Sequence, residues 1–156
     1  MQARELATFL ESGVAMLGAT ADARGAPEAF RVWGATVDDD FRVRANVSSH
    51  AVRTFESVHD GAAISLVFTD ITTFRSVQAK GHVVGAAEPP GPADAALIER
   101  YEAAFGAALQ QIGHPLTLRE SMRPRSVFVV TVAVDDTYDQ TPGPTAGLPL
   151  EQVNRG

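Results

Sequence analysis

The sequence predicts a mainly β fold: about six antiparallel strands curled into a barrel, with helices as inserts. Three observations predict it. Apolar segments follow one another at short range, divided by tight turns at Asp22–Gly25 and Asp38–Asp40. Few helical segments are available as crossovers, so successive strands pair as a meander rather than in parallel. Closing such a sheet removes the unpaired edges it would otherwise expose.

The elements follow in order. Arg4–Ser12 reads as a short helix, with Leu6, Phe9 and Leu10 on one face and Gly13 as its stop. Val14–Thr20 is an apolar strand. Asp22–Gly25 is a turn, because glycine supplies the positive φ that a hairpin often needs. Pro27–Val37 is the second strand and Phe41–Val47 the third. Ser48 or Ser49 caps a helix running to about Val58, and Asp60-Gly61 follows it. Ala62–Thr69 and Thr73–Ala87 are further strands. Glu88–Pro92, with three prolines and a glycine, is a break.

Asp94–Ile112 is the clearest helix. Leu97, Ile98, Tyr101, Phe105, Leu109 and Ile112 recur at helical spacing, and Gly113 stands at the stop. The aromatic pair Tyr101 and Phe105 reads as packing of this insert. Arg125–Val134 is the last strand. Asp139–Gly156, with three prolines and three glycines, reads as an extended tail. The expected organisation is one barrel domain over residues 1–140, with a helical insert at about 92–122, and a C-terminal tail over 141–156.

Composition bounds the function. At 156 residues the chain is long enough for one domain with a real core. Its 45% hydrophobic and 21% charged residues are the balance of an ordinary globular protein. A net charge of −6 argues against non-specific attraction to nucleic acid or anionic membrane. Without cysteine there is no disulfide framework, thiolate metal site or cysteine nucleophile. Met1–Glu5 lacks a basic region followed by an apolar run, so no signal peptide is expected, and no apolar stretch reaches membrane-spanning length. The cytoplasm is the expected location.

Several chemistries find no support. His50, His59, His82 and His114 share no metal-ligand spacing, so no metal site is expected. Asp38–Asp40 and Asp135-Asp136 read as solvated turns. The chain has no Gly-x-Gly-x-x-Gly, no Walker lysine and no Gly-x-Ser-x-Gly elbow.

Residues 70–81 are the most informative stretch. Phe74, Val77 and Ala79 are less polar than their neighbours Arg75, Ser76, Gln78 and Lys80, and Gly81 follows. The pattern suits a strand with one buried face, broken only by Ser76. Guanidinium, hydroxyl and amide on the other face suit a phosphate or the edge of a ring. A strand holds such groups more rigidly than a loop does.

The order of pieces now resembles a known family. Gly25-Ala26-Pro27 opens a strand, a further strand leads into a Ser-containing turn and a short helix, and Phe74-Arg75-Ser76-Val77 leads to Gly81. This resembles the pyridoxamine 5′-phosphate oxidase-like FMN-binding split β-barrel family, over roughly residues 8–87 and more weakly 124–140. The resemblance implies a six-stranded antiparallel split barrel, usually a homodimer, with flavin mononucleotide (FMN) at the dimer interface. It implies that Phe30, Arg31, Val32 and Trp33 line the isoalloxazine ring. Arg44, Asn46, Ser48, Ser49 and His50 would hold ribityl and phosphate groups. Arg53 would serve the phosphate from the helix start. Arg75 and Ser76 would add phosphate or ring contacts, with Gln78 on the same face.

The sequence departs from the family at two places. Many relatives carry lysine where Ala51 stands and arginine where His50 stands, while Ser49 and Arg53 keep their places. Main-chain N–H groups and the helix dipole remain available to a phosphate there. Tyr138–Pro144 shows no Arg-x-His, so turnover of pyridoxamine phosphate itself is not part of the expectation.

Read as residues alone, the candidates keep plainer alternatives. Arg31 is equally placed to pair with Glu28 or Asp38. Trp33, the single tryptophan, suits a core or an interface as well as a ring. Arg75 suits a solvated face. Ser48 and Ser49 suit a helix cap, which is compatible with holding an anion. The functional expectation is an FMN-dependent oxidoreductase acting on a small molecule. Its chemistry would be the flavin's, so no side chain is singled out as catalytic. The alternative is a non-catalytic flavin, deazaflavin or haem binding protein, a sensor or store on the same fold. A barrel without cofactor, acting as a dimeric interaction protein, is the third reading.

Overall fold

The computed structural model describes residues 1–22, 24–48, 56–124 and 126–150. Its elements are α1 (Ala3–Glu11), β1 (Ala15–Ala21), β2 (Pro27–Val37), β3 (Arg42–Ser48), β4 (Ala63–Thr69), β5 (Ser76–Glu88), α2 (Pro92–Gln111), α3 (Leu116–Met122) and β6 (Val127–Asp139). The strands close into a barrel in the order β1-β2-β3-β6-β5-β4, and every neighbouring pair is antiparallel. The mainly β barrel read from the sequence is the observed architecture.

Alternation explains why these segments form strands. In β3, Val43, Ala45 and Val47 are buried and interleave with Arg42 and Arg44; β4 buries Ile64, Leu66 and Phe68 in the same way. The barrel interior is thus filled by apolar side chains from every strand. Gly18 in β1 sits directly opposite Phe30 in β2. A Cβ at Gly18 would lie 2.1 Å from the Phe30 ring, so the bare glycine makes room for that ring inside the barrel.

α1 buries Leu6, Phe9 and Leu10 against the barrel. The Gln2 main-chain N–H donates to the Glu5 carboxylate at 2.8 Å, closing the first turn. α2 begins with Pro92, whose missing N–H is not needed at a helix start, and Asp94 accepts from the Gly91 N–H at 2.8 Å. It stops before Gly113, at φ +85°. The helix lies on β2 and buries Tyr101, Phe105 and Leu109. No helix among the described residues is long and apolar enough to cross a membrane.

Three stretches differ from the sequence reading. Thr73–Arg75 is loop rather than strand, and Phe74 is 63% exposed at φ +62°. The cause is Asp70: its carboxylate accepts from Thr72 N–H and the Thr72 and Thr73 hydroxyls, and its carbonyl accepts from Phe74 N–H. Those local bonds turn the chain before β5 can start. β6 runs past Val134 to Asp139, because β5 offers Val77–Lys80 as partners for residues 136–139. Asp135 is the extra residue at the register shift there, a bulge rather than a turn, and its carboxylate meets His82 Nδ1 at 3.1 Å. After β6 the chain folds back on its own barrel. Gly147 N–H donates to Asp139 and Leu150 N–H to Thr137, at 2.6 and 2.8 Å.

Candidate functional site

The strand phase that fills the barrel also decides which polar residues face out. Phe30 and Val32 point into the interior, so they offer a surface ligand only main chain. Arg31 and Trp33 project from the outer face of β2, and Arg44, Asn46 and Ser48 from that of β3. The Val32–Val47 pair sets Arg31 beside Ser48 and Trp33 beside Asn46. Beyond it β2 bulges between Val32 and Ala35, with Gly34 at φ +91°. A Cβ at Gly34 would come within 3.2 Å of the Leu97 and Tyr101 side chains, so this glycine lets α2 lie close on the strand. Asn46 Nδ2 donates to the Gly34 carbonyl at 3.3 Å.

This patch is short of hydrogen-bond partners. Among the described residues, every buried side-chain polar atom without a partner lies here: Nε and Nη2 of Arg31, Nε1 of Trp33, Oδ1 of Asn46, Oγ of Ser48 and the hydroxyl of Tyr101. Each such group costs about 1–3 kcal/mol, and native interiors leave few of them. Burial pushes the Tyr101 phenol up to about 12, with Arg31 and the Met16 main chain beside it pulling the other way. The guanidinium of Arg31 packs against two rings, its Cζ 5.1 Å from the centroids of both Trp33 and Phe105.

The β5 candidates lie elsewhere on the outer surface. One cross-strand row reads Gln78, Val67, Leu17, Arg31 from β5 through β4 and β1 to β2. Arg31 and Gln78 are therefore separated by about 14 Å of sheet surface, at the usual strand spacing. Between them lies an apolar strip. Leu17 is 51% exposed, with Val67 beside it and Ala19 and Ala29 in the next row. Gln78 donates to Ser65 Oγ at 2.8 Å and accepts from Gln140 Nε2 at 2.9 Å. Ser76 shares a 2.7 Å hydroxyl contact with Thr69 and takes Thr141 Oγ1 on its N–H at 3.0 Å. Arg75 sits in the loop before β5 with Cζ 4.7 Å from the Phe9 ring.

Arg44 is committed to the insert. Nε and Nη2 donate to the two oxygens of Asp94 at 3.0 Å each, and Nη1 to Glu88 at 2.8 Å. The hydrogen bonds from Arg44 hold the Asp94 carboxyl below its ordinary range against the opposing effect of burial, and the pairing raises Arg44 in turn. Ser49, His50 and Arg53, and Ala51 with them, lie outside the described residues. Where β2 outruns β1, a cavity of about 430 Å³ opens between α1, β2 and α2, lined by Leu10, Met16, Gly34, Leu97 and Tyr101 among others. It shares Tyr101 with the polar patch. No cluster of three or more histidine or acidic side chains fit for a metal ion forms among the described residues.

Sequence reasoning placed Arg31, Trp33, Asn46 and Ser48, and the structure brings these four together. It missed that Tyr101 and Phe105 complete the same patch. Their four-residue spacing on one helix face was the available signal, and it was read as packing alone.

No protein-family model matches the sequence. No curated protein matches it either. Solved structures do. HupZ of Group A Streptococcus superposes with TM-score 0.56 at 18% identity, covering 94% of this chain and 100% of that one. An F420 reductase gives 0.54 at 17% identity, covering 83% and 93%. A Clostridium acetobutylicum protein related to general stress protein 26, of the pyridoxinephosphate oxidase family, gives 0.51 at 12% identity, covering 96% and 93%. At these identities the likeness is one of fold. The chain shares with these structures the fold expected from its sequence, a six-stranded antiparallel barrel.

Proposed function

We propose that this split barrel is a homodimeric, cytoplasmic flavoprotein that binds FMN over the outer face of β2 and β3 and acts as an oxidoreductase on a small molecule. One observation carries the reading: the unpaired buried polar atoms gather in a single patch, at Arg31, Trp33, Asn46, Ser48 and Tyr101. The donor set fits the group. Arg31 and Ser48 suit a phosphate, as a cation and a hydroxyl side by side. Asn46 and the Trp33 N–H suit the hydroxyls and heteroatoms of a ribityl chain and ring.

The neighbouring strip of Leu17 and Val67 suits a second copy of the chain, which would cover apolar surface and shut water from the cofactor. When bound, the flavin supplies the hydride or electron transfer. This chain's residues bind the group, orient it and exclude water. The fold likeness to an F420 reductase favours a deazaflavin as the second reading.

The test is the visible spectrum and solution mass of the freshly purified protein. A yellow dimer that releases FMN on denaturation, and whose bound flavin a nicotinamide donor reduces, supports the oxidoreductase. Bound flavin that no donor reduces supports the sensor or store. A deazaflavin spectrum or a haem Soret band selects those cofactors. A colourless protein unable to take up FMN, deazaflavin or haem overturns the reading.

A further inference from the structure

Among the described residues Arg31 is the only cation in the unpaired patch, and two aromatic rings fix where it points. Trp33, two residues along the same strand, and Phe105 of α2 each have their centroid 5.1 Å from Cζ, and their planes stand roughly perpendicular, so the guanidinium sits in an aromatic corner. The rings are themselves held. Phe105 stacks on Tyr101 with centroids 5.6 Å apart at 8°, and Tyr101 meets Trp33 edge-on at 6.0 Å and 87°.

Besides Gly34, two contacts set the depth of α2 on the barrel. At one end Arg44 binds Asp94 and Glu88. Nearer the middle Gly13, at φ +80°, runs against the Ala104–Phe105 backbone, where an added Cβ would lie 2.5 Å from Ala104 C. A guanidinium held in such a corner loses much of its rotamer freedom before any ligand arrives, so an anion meets a fork already aimed. Two of its nitrogens are buried without a hydrogen bond, and an anion is the partner they lack.

We infer that Phe105 is a positioning residue for anion recognition: with Trp33 it forms the aromatic corner that holds the Arg31 guanidinium and makes the site select the phosphorylated flavin over the same flavin without its phosphate. The inference rests on the reading of the β2–β3 face as the cofactor site, and adds that the helical insert supplies the specificity. Phe105 itself touches no phosphate. Its effect passes through Arg31, so it should appear in the ratio of two affinities and not in flavin binding as such.

The experiment titrates the cofactor-free full-length protein with FMN and with riboflavin, following flavin fluorescence. Phe105→Met keeps the volume and removes the ring face. It should lower FMN affinity roughly fivefold and leave riboflavin affinity within about twofold. Phe105→Trp should restore the preference for FMN. Arg31→Lys keeps the charge at a half-buried site, removes the planar fork and should reproduce the lost preference. Equal losses for both ligands in Phe105→Met, or an unchanged ratio in either variant, overturn the inference while flavin binding stands. If Phe105→Met does not fold, Arg31→Lys decides alone. Wild-type protein that takes up neither ligand removes the cofactor reading, and the inference with it.

Discussion

Arg44 grips Asp94 with two parallel hydrogen bonds of 3.0 Å each, across 50 residues of chain. The bond fastens the start of α2 to the outer face of β3. Arg44→Ala leaves a buried carboxylate with the Gly91 N–H as its remaining donor. The expected cost is about 1–3 kcal/mol at neutral pH. The sign with pH follows from Asp94, whose folded pKa is depressed by the Arg44 hydrogen bonds. Its stabilisation is present above the unfolded carboxyl value of about 3.9 and is lost as pH falls through the lower folded value. Urea melts of both proteins should differ at neutral pH and converge in acid. A constant difference would place the effect of Arg44 elsewhere.

Leu17 separates the two groups of candidate residues and is half exposed in the single chain. If a second copy covers the strip of Leu17 and Val67, an arginine there puts a charge into an apolar contact. Leu17→Arg should halve the mass measured by light scattering and leave the barrel's melting midpoint within a few degrees, since the side chain faces away from the core. Wild-type protein that already runs as a monomer removes the dimer from the proposal.

Tyr101 is 3% exposed, and burial pushes its phenol up to about 12. A raised folded pKa means that stability is complete below the unfolded phenol value of about 10 and declines as pH climbs toward the folded value. Of the two tyrosines, one should therefore ionise only near 12 in an alkaline absorbance titration, until unfolding releases it. Tyr101→Phe removes a hydroxyl that lies near Arg31 and the Met16 main chain without a well-formed hydrogen bond, and should change stability by no more than about 1 kcal/mol. A clear loss of stability would mean that the hydroxyl has a partner in solution.

How much of this was legible in the sequence depends on the range of the interactions involved. Strands such as β3 were legible because Val43, Ala45 and Val47 announce a buried face at period two. The insert helix was legible because Tyr101, Phe105 and Leu109 recur at helical spacing. Phe74 misled, because the hydrogen bonds of Asp70 with Thr72 and Thr73 outweigh the burial of one aromatic ring. β6 was cut short at Val134 because Asp135-Asp136 has turn chemistry, and only the length of β5 shows that the pair continues in a strand. In the candidate site, Arg31, Trp33, Asn46 and Ser48 could be named from short motifs. That Arg44 faces Asp94, and that Phe105 closes over Arg31, are contacts between distant parts of the chain, which no local pattern encodes.

The resemblance gives Arg31 to the flavin ring and Arg75 to its phosphate or ring, and the structure gives the two cations different surroundings. Arg31 lies in the patch of unpaired donors, beside Ser48. Arg75 rests over the Phe9 ring in the loop that precedes β5, facing α1. Loss of one charge-assisted contact to phosphate is worth about 1.4 kcal/mol, a tenfold change in affinity. Arg31→Ala should therefore weaken FMN binding about tenfold or more in a fluorescence titration, while Arg75→Ala should weaken it less than about threefold. The reverse order would put the phosphate at the β5 end of the apolar strip. In that case the unpaired atoms on β2 and β3 would belong to some other ligand, and the aromatic corner around Arg31 would serve that one.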